Sequence, residues 1–281
     1  MAKQKVTSKK SNKSLTNQKT FHFIVLPLCI IAFCITLYSA IGIIKWKIDS
    51  EKTNEEISDL QSSVEINQDS GGETTGDGID PNDPYWMYVK MNLIDVDFAD
   101  LKKTNSDTVG WIQVPGTNVN YPFVQSGDNK YYLTHSFKKT INDAGWVFLD
   151  YRNNGSLSDK NNIIYAHGRL DGTMFGSLHG TLKSSWYSNT ENHVIKISTE
   201  SYNSLWQIFS IYRIPTTNDY IKVNFTTDSE YQDWLNMIAG RSNISFGTTV
   251  SASDRVLTLS TCYNDNEKLV VHAKLIKYSE K

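Results

Sequence analysis

Cys262 closes the pentapeptide Thr258-Leu259-Ser260-Thr261-Cys262, and the two other cysteines of the chain, Cys29 and Cys34, both lie in its first fifth. The pentapeptide ends an apolar, alternating run that starts at Arg255, and the polar turn Tyr263-Asn264-Asp265-Asn266 follows it. A thiol at a strand tip, just before a turn, sits where a substrate can reach it, and its chemistry is attack on a carbonyl carbon. The ordinary alternative is a small buried apolar residue. A free thiol has a pKa of about 8.5, so only a few per cent is thiolate at pH 7. A neighbouring imidazolium or guanidinium raises that fraction, and a histidine can then protonate a leaving amine.

Five histidines follow the N-terminal region: His135, His167, His179, His193 and His272. Four have plain positions. His135 sits in a loop, His179 follows a short helix, His193 begins a strand and His272 alternates within the last one. His167 ends the strand Asn162-Ile163-Ile164-Tyr165-Ala166 and precedes Gly168, so it shares with Cys262 a place at a strand end. One cysteine and scattered histidines lack the close ligand spacing of a zinc site, and no HExxH occurs. There is no Gly-rich phosphate loop either. No metal, no cofactor and no nucleic-acid partner is expected.

These residues need strands to carry them. Short runs rich in Val, Ile, Tyr, Phe and Trp predict strands over Trp111–Val114, Val119–Val124, Trp146–Asp150, Asn162–His167, Val194–Ser198, Leu205–Ile214, Arg255–Thr261 and Leu269–Lys277. Eight strands in this span predict one closed or nearly closed β-barrel, a mainly β fold. Short helices are expected at Trp86–Asn92, Phe98–Asn105 and Thr173–Leu178. Asp228–Ala239 spaces Tyr231, Trp234, Leu235 and Ile238 as the core face of one inserted helix, with Thr227 and Glu230 as a capping box.

The formal charge of −2 over 281 residues conceals an uneven chain. Residues 1–20 carry six lysines and no acid, and read as a basic cytoplasmic tail. Residues 21–45 read as a transmembrane anchor, whose uncharged part Ile24–Ile44 is long enough to cross the roughly 30 Å hydrocarbon core. Pro27 would fall in its first turns. The lysines predict a cytoplasmic N-terminus and an extracellular bulk, a single-pass protein of the cell membrane. A cleaved signal peptide is the competing reading, but its apolar region is shorter and ends in a small-residue site. Residues 46–83, rich in Glu, Asp, Ser, Asn, Gly, Thr and Gln, predict a flexible stalk. The catalytic domain is expected over 84–281. In an exported domain, cysteines usually form disulfides, so a single one is worth flagging as reactive.

The ectodomain resembles a class B sortase, a membrane-anchored cysteine transpeptidase of Gram-positive bacteria. The resemblance runs from about Val96 to Lys277. It rests on Thr258-Leu259-Ser260-Thr261-Cys262, on Tyr165-Ala166-His167-Gly168 with Asp171-Gly172-Thr173-Met174-Phe175-Gly176, and on the early strands Trp111–Thr117, Asn120–Gln125 and Val147–Asn153. It implies an eight-stranded barrel, Cys262 as the nucleophile on the threonyl carbonyl of an Asn-Pro-x-Thr-type sorting signal, and His167 as the acid for the leaving amine. The partners implied are secreted proteins with a C-terminal sorting signal and a peptidoglycan precursor or cross-bridge amine, besides the lipid bilayer around residues 21–45. Asn129, Leu133, Tyr165, Thr216, Tyr220 and Ile221 match groove residues of the family, and Ser260, two residues before Cys262, lies by strand alternation on the same face as the thiol. One departure stands out: the family has an arginine just before the last strand, and here Lys268 occupies the place. Lysine keeps the charge and loses the two-pronged donor set. Lys268 takes over the role, or Arg169, Arg213 or Arg255 reaches in, or the short turn aligns differently; the first is the expectation. The rival functions are a pilin-polymerising sortase, a cell-wall cysteine hydrolase and a catalytically weak wall-binding barrel.

Overall fold

The computed structural model describes residues 13–75, 84–264 and 266–281, with side chains from residue 23 onward. Two compact units result, Met1–Ile48 and Asp49–Lys281. The helix α1 (Lys13–Ser63) begins in the first and ends in the second. In the first unit Ile24, Leu28, Ile31, Phe33, Ile41 and Ile44 are all more than half exposed, so no protein covers them. Among the described residues this is the one helix long and apolar enough to cross a membrane. Pro27 lies inside the helix rather than in its first turns; membrane helices tolerate this because other groups satisfy the freed carbonyl.

The second unit is built on eight strands: β1 (Thr108–Gln113), β2 (Asn120–Val124), β3 (Phe148–Leu149), β4 (Asn161–Tyr165), β5 (Val194–Thr199), β6 (Tyr202–Pro215), β7 (Val256–Cys262) and β8 (Glu267–Glu280). Around the ring they run β7-β4-β3-β2-β1-β5-β6-β8, and β8 pairs back onto β7, which closes the barrel. Two pairs are parallel, β2 with β3 and β4 with β7. The others are antiparallel. All eight predicted strands are present, with ends moved by a few residues. The shift that matters is at β4, which stops at Tyr165 and leaves His167 beyond it.

Strand alternation sorts β7 into two faces. Leu257 and Leu259 fill the barrel with Trp111, Trp146 and Trp206. Val256 points the other way, into a second cluster with Phe209, Tyr212, Val270 and the helix α2 (Asp228–Gly240). Tyr231, Trp234, Leu235 and Ile238 of α2 are buried there as its stripe predicts. Thr227 Oγ1 accepts the Glu230 amide hydrogen at 3.1 Å, while the Glu230 carboxylate reaches the Thr226 amide at 2.6 Å. The short helices shrink to Tyr85–Tyr88 and Ala99–Thr104, and the one expected at Thr173–Leu178 is a 3-10 turn over Gly176–Leu182.

The flexible stalk expected over 46–83 is replaced, where it is described, by docked structure. Asp49, Ser50, Thr53 and Glu56 lie on one face of α1 and are all buried. The Glu56 carboxylate accepts from the Lys138 amide at 2.7 Å and the Ser136 hydroxyl at 3.2 Å. Burial pushes the Glu56 carboxyl up, and those two hydrogen bonds partly oppose it. Further on, Ile66–Asp69 pairs with Leu93–Val96, and Glu73–Thr74 adds to β8 at Lys277 and Tyr278. The segment is poor in large apolar residues, yet its polar groups meet matched partners on the barrel, and satisfied polar groups can be buried. Residues 76–83 of the expected stalk lie outside the described residues.

A buried polar chain crosses the second cluster. Thr258 faces His272 across β7 and β8. The Thr258 hydroxyl lies 2.6 Å from Asn161 Oδ1, an acceptor, so it donates there. It must then accept from His272 Nδ1–H at 2.9 Å, which leaves Nε2 to accept the Tyr212 hydroxyl at 2.8 Å. Asn161 Nδ2 in turn donates to the Lys222 carbonyl at 2.9 Å. The ring of His272 is fully buried, and burial, with the Arg241 charge second, pushes its pKa down to about 3. Between about pH 6.5 and that value the unfolded chain takes up a proton that the folded ring refuses, so stability falls as pH falls. The limiting slope is about 1.4 kcal/mol per pH unit. The variant His272→Gln, which still donates and accepts, is therefore expected to lose about 2 kcal/mol less than the native chain between pH 6.5 and 4.5, by urea titration. Equal losses in the two proteins would contradict the neutral buried ring.

Candidate active site

Cys262 is the last residue of β7 and is exposed. By alternation it shares the outer face of the barrel with Ser260 and Thr258. Directly opposite on β8 stands Lys268. This pairing brings the Lys268 ammonium to 3.0 Å from Cys262 Sγ, where it donates to the sulfur. A positive charge thus stands against the atom that carries the negative charge in a thiolate.

The parallel ladder of β4 and β7 brings His167 to the same end. Its last register pair is Ser260 with Tyr165, and Cys262 and His167 each lie two residues farther on. The two backbones then touch: a Cβ on Gly168 would fall 2.0 Å from the Cys262 carbonyl oxygen. Only glycine allows this approach. His167 Nε2–H donates to the Leu133 carbonyl at 2.8 Å. That bond settles which nitrogen is engaged and leaves Nδ1 for proton exchange. Gly145, at φ +61°, lets this carbonyl and the ring come together, since a Cβ there would lie 2.9 Å from the Leu133 oxygen and 3.0 Å from His167 Cδ2.

The three other cations considered from the sequence are turned elsewhere. Arg169 pairs with Asp171 at 3.0 Å. Arg213 lies 4.3 Å from the Tyr263 ring centre and 3.6 Å from Glu267. Arg255 precedes Val256, at the opposite end of β7 and about 23 Å along the strand from Cys262.

The groove residues expected from the sequence fall into four situations. Asn129 and Ile221 line a surface cavity of about 790 Å³ together with Tyr151, Arg152, Lys222 and Trp234, and Cys262 is not among its lining residues. Tyr220 and Ser260 are buried and joined through their hydroxyls at 3.0 Å, forming a floor beneath the thiol. Burial pushes the Tyr220 phenol up. Leu133 is exposed, and so is Thr216, whose amide donates to the Asn266 carbonyl at 3.1 Å. Tyr165 is different: its hydroxyl donates to the buried Asp150 at 3.0 Å and its ring packs on Phe148. Burial alone would raise the Asp150 carboxyl, but Arg152 at 2.6 Å outweighs it and holds the group below its usual range. The hydroxyl of Tyr165 is thus engaged inside the protein.

His179, which the sequence marks only as a residue after a short helix, belongs here. Its Nε2–H donates to the Cys262 carbonyl at 3.0 Å, and its ring leans on Tyr263 at 4.9 Å. No local pattern announces it, because the contact spans 83 residues. Among the described residues no three His, Cys, Asp or Glu side chains gather as a group able to hold a metal ion.

Comparison with known proteins gives one answer. The sortase domain family model matches residues 112–276. Sortase B of Staphylococcus aureus is 37% identical over 186 residues, covering 65% of this chain and 75% of that protein. Among solved structures, sortase B from B. anthracis in complex with AAEK1 superposes with a TM-score of 0.66 at 30% identity, covering 82% of this chain and 99% of that one. A Staphylococcus aureus sortase B–substrate complex does so with a TM-score of 0.60 at 36% identity, covering 64% and 84%.

The contact at Gly168 has a measurable consequence. Gly168→Ala must push β4 and β7 apart at their ends, and overpacking of this kind costs about 1–3 kcal/mol. Gly180→Ala, where a Cβ would meet nothing within 4 Å, serves as control. Thermal unfolding is expected to show a clear drop for the first variant and a small change for the second. Equal melting temperatures would contradict the close approach.

Proposed function

The chain belongs to the sortase family, class B, a family of cysteine transpeptidases, and we propose that it cleaves an Asn-Pro-x-Thr-type sorting signal after threonine and transfers the cargo to a peptidoglycan amine. Cys262 is the nucleophile, His167 the acid and base, and Lys268 the cation that replaces the family's arginine. The observation that carries this reading is the Lys268 ammonium on Cys262 Sγ, with His167 at the matching end of the parallel partner strand.

The steps follow from that arrangement. Sγ adds to the threonyl carbonyl carbon, and the negative charge passes from sulfur to the carbonyl oxygen. Lys268, already beside the sulfur, offers its remaining N–H donors to that oxygen. The carbon–nitrogen bond then breaks as His167 gives a proton to the departing amine, with Nε2–H kept on Leu133 and Nδ1 as the exchanging nitrogen. A thioester on Cys262 remains. The acceptor amine attacks it, His167 takes the proton back, and the carbon–sulfur bond breaks to restore the thiolate. Water resolves the same thioester more slowly as a side reaction.

The signal lies in the groove bounded by Leu133, Thr216, Tyr220, Ile221 and Ser260, with Asn129 at its far end. That the Staphylococcus aureus relative forms a substrate complex supports a groove of this kind. Tyr165 supports the groove wall from within, its hydroxyl held by Asp150 rather than offered to the signal. The anchor over residues 21–45 holds the enzyme in the cell membrane, with the lysine-rich tail 1–20 inside and the barrel outside. The exposed apolar side chains of this helix support the anchor. The domain that does the chemistry begins at Asp49 rather than at residue 84, because Asp49–Ser63 packs on the barrel.

Sorting peptides of the Asn-Pro-x-Thr type, incubated with the full chain and a peptidoglycan-type amine, are expected to yield the amide of the N-terminal fragment. Release of free acid alone, or no cleavage at all, would overturn the transpeptidase reading for this signal. Removing one oxyanion donor typically costs 10²–10³ in rate. Lys268→Ala is accordingly expected to slow acyl-enzyme formation by about that factor, and Arg255→Ala to leave it nearly unchanged. Equal effects of the two would sink the assignment of Lys268.

A further inference from the structure

His167 stands between two segments that contain little regular structure. One is residues 131–145, which supplies the Leu133 carbonyl and the Gly145 wall; the other is residues 168–173, which follows the histidine directly. The buried face of α1 grips both. On the first segment, Asn142 Nδ2 donates to Thr53 Oγ1 at 3.0 Å and to the Asp49 carbonyl at 3.4 Å, and Glu56 takes the Ser136 hydroxyl and the Lys138 amide. On the second, the Ser50 hydroxyl donates to Asp171 Oδ2 at 2.7 Å and accepts from Arg169 Nη2, which itself donates to Asp171 at 3.0 Å. Asp171 also fixes the turn behind the histidine, accepting the Thr173 hydroxyl at 2.6 Å and its amide at 3.1 Å.

The four residues Asp49, Ser50, Thr53 and Glu56 follow one helix face, and they join the two sides of the histidine slot through polar groups rather than through an apolar stripe. Directional bonds of this kind specify position more sharply than apolar packing does. Ser50 and Thr53 lie at the start of the unit that contains the site.

We propose that the Asp49–Glu56 face of α1 is a positioning element for His167, holding Leu133 and the Arg169–Asp171 turn so that the imidazole is aimed at the bond being broken. The inference rests on the reading of Cys262 and His167 as the reacting pair. Ser50, Thr53 and Glu56 touch neither substrate nor thiol, so they act only through the segments they hold. A misplacement of about 1 Å in a reacting group can cost 10² in rate, which sets the scale of the effect.

The test uses the full chain in detergent micelles, a sorting peptide, an amine acceptor and the double variant Ser50→Ala/Thr53→Val, which loosens one bond set on each side of the slot. The turnover number is expected to fall at least tenfold while KM stays within about twofold. The imidazole ¹⁵N resonances of His167 should shift as its bond to Leu133 loosens, and the alkylation rate of Cys262 should stay the same. Glu56→Ala, which acts on the first segment alone, is expected to give a smaller fall in the same direction. Unchanged turnover and unchanged ¹⁵N resonances overturn the inference, whether or not the melting temperature drops. His167→Ala separates the two claims: transfer at the native rate by that variant overturns the reading of His167 itself, whereas its loss of transfer beside native turnover in Ser50→Ala/Thr53→Val overturns the role of the helix alone.

Discussion

The parallel pairing of Asn161–Tyr165 with Val256–Cys262 is the constraint on which the rest of the site depends. Parallel strands run in one direction, so their C-terminal ends arrive together, and whatever follows each strand meets at one edge of the barrel. Here that is Gly168 against the Cys262 carbonyl, with His167 beside it. Parallel pairs are weaker per residue and need burial. Ile163, Ile164, Leu257 and Leu259 meet that need, each fully buried. The second strand of the pair also borders β8, and that antiparallel ladder puts Lys268 opposite Cys262. Imidazole, thiol and ammonium thus reach one edge of the barrel through register in two ladders that share one strand.

Alternation along β7 separates two tasks. Its inward residues close the barrel core, while its outward residues form a polar column: Thr258 in the buried chain with Asn161 and His272, Ser260 on Tyr220, and Cys262 at the exposed end. The column is anchored at its base by a ring held neutral through burial. At its top the surroundings are open and positively charged. The same strand therefore passes from a dry structural network to an exposed thiol within five residues, from Thr258 to Cys262. Asn161 links that base to the loop carrying Tyr220 and Lys222, so that loop and the strand bearing Cys262 share one network.

Much of this was legible in the residues themselves. Alternating Val, Ile and aromatic runs placed all eight strands, and the stripe of Tyr231, Trp234, Leu235 and Ile238 placed the inserted helix, because both patterns follow burial directly. The resemblance carried by Thr258–Cys262 and Tyr165–Gly168 pointed to the two strand ends that the fold brings together. What stayed hidden was long-range and polar. Asp49–Ser63 reads as a stalk because, Leu60 apart, its buried residues are Asp, Ser, Thr and Glu, whose partners lie on the barrel and leave no local trace. His179 has no pattern around it, and its bond to the Cys262 carbonyl depends on a 3-10 turn whose position composition does not encode. Tyr165 matches a groove position, yet a buried carboxylate claims its hydroxyl.

The proposed reaction requires that Cys262 become acylated by a threonyl carbonyl. Mass spectrometry of the full chain, quenched in acid during turnover of an Asn-Pro-x-Thr peptide, tests it most directly. An adduct equal to the N-terminal fragment up to threonine is expected, located on the peptide that contains Cys262 and discharged when an amine acceptor is added before the quench. An adduct on another residue, or cleavage that proceeds with Cys262 unmodified throughout, would contradict it.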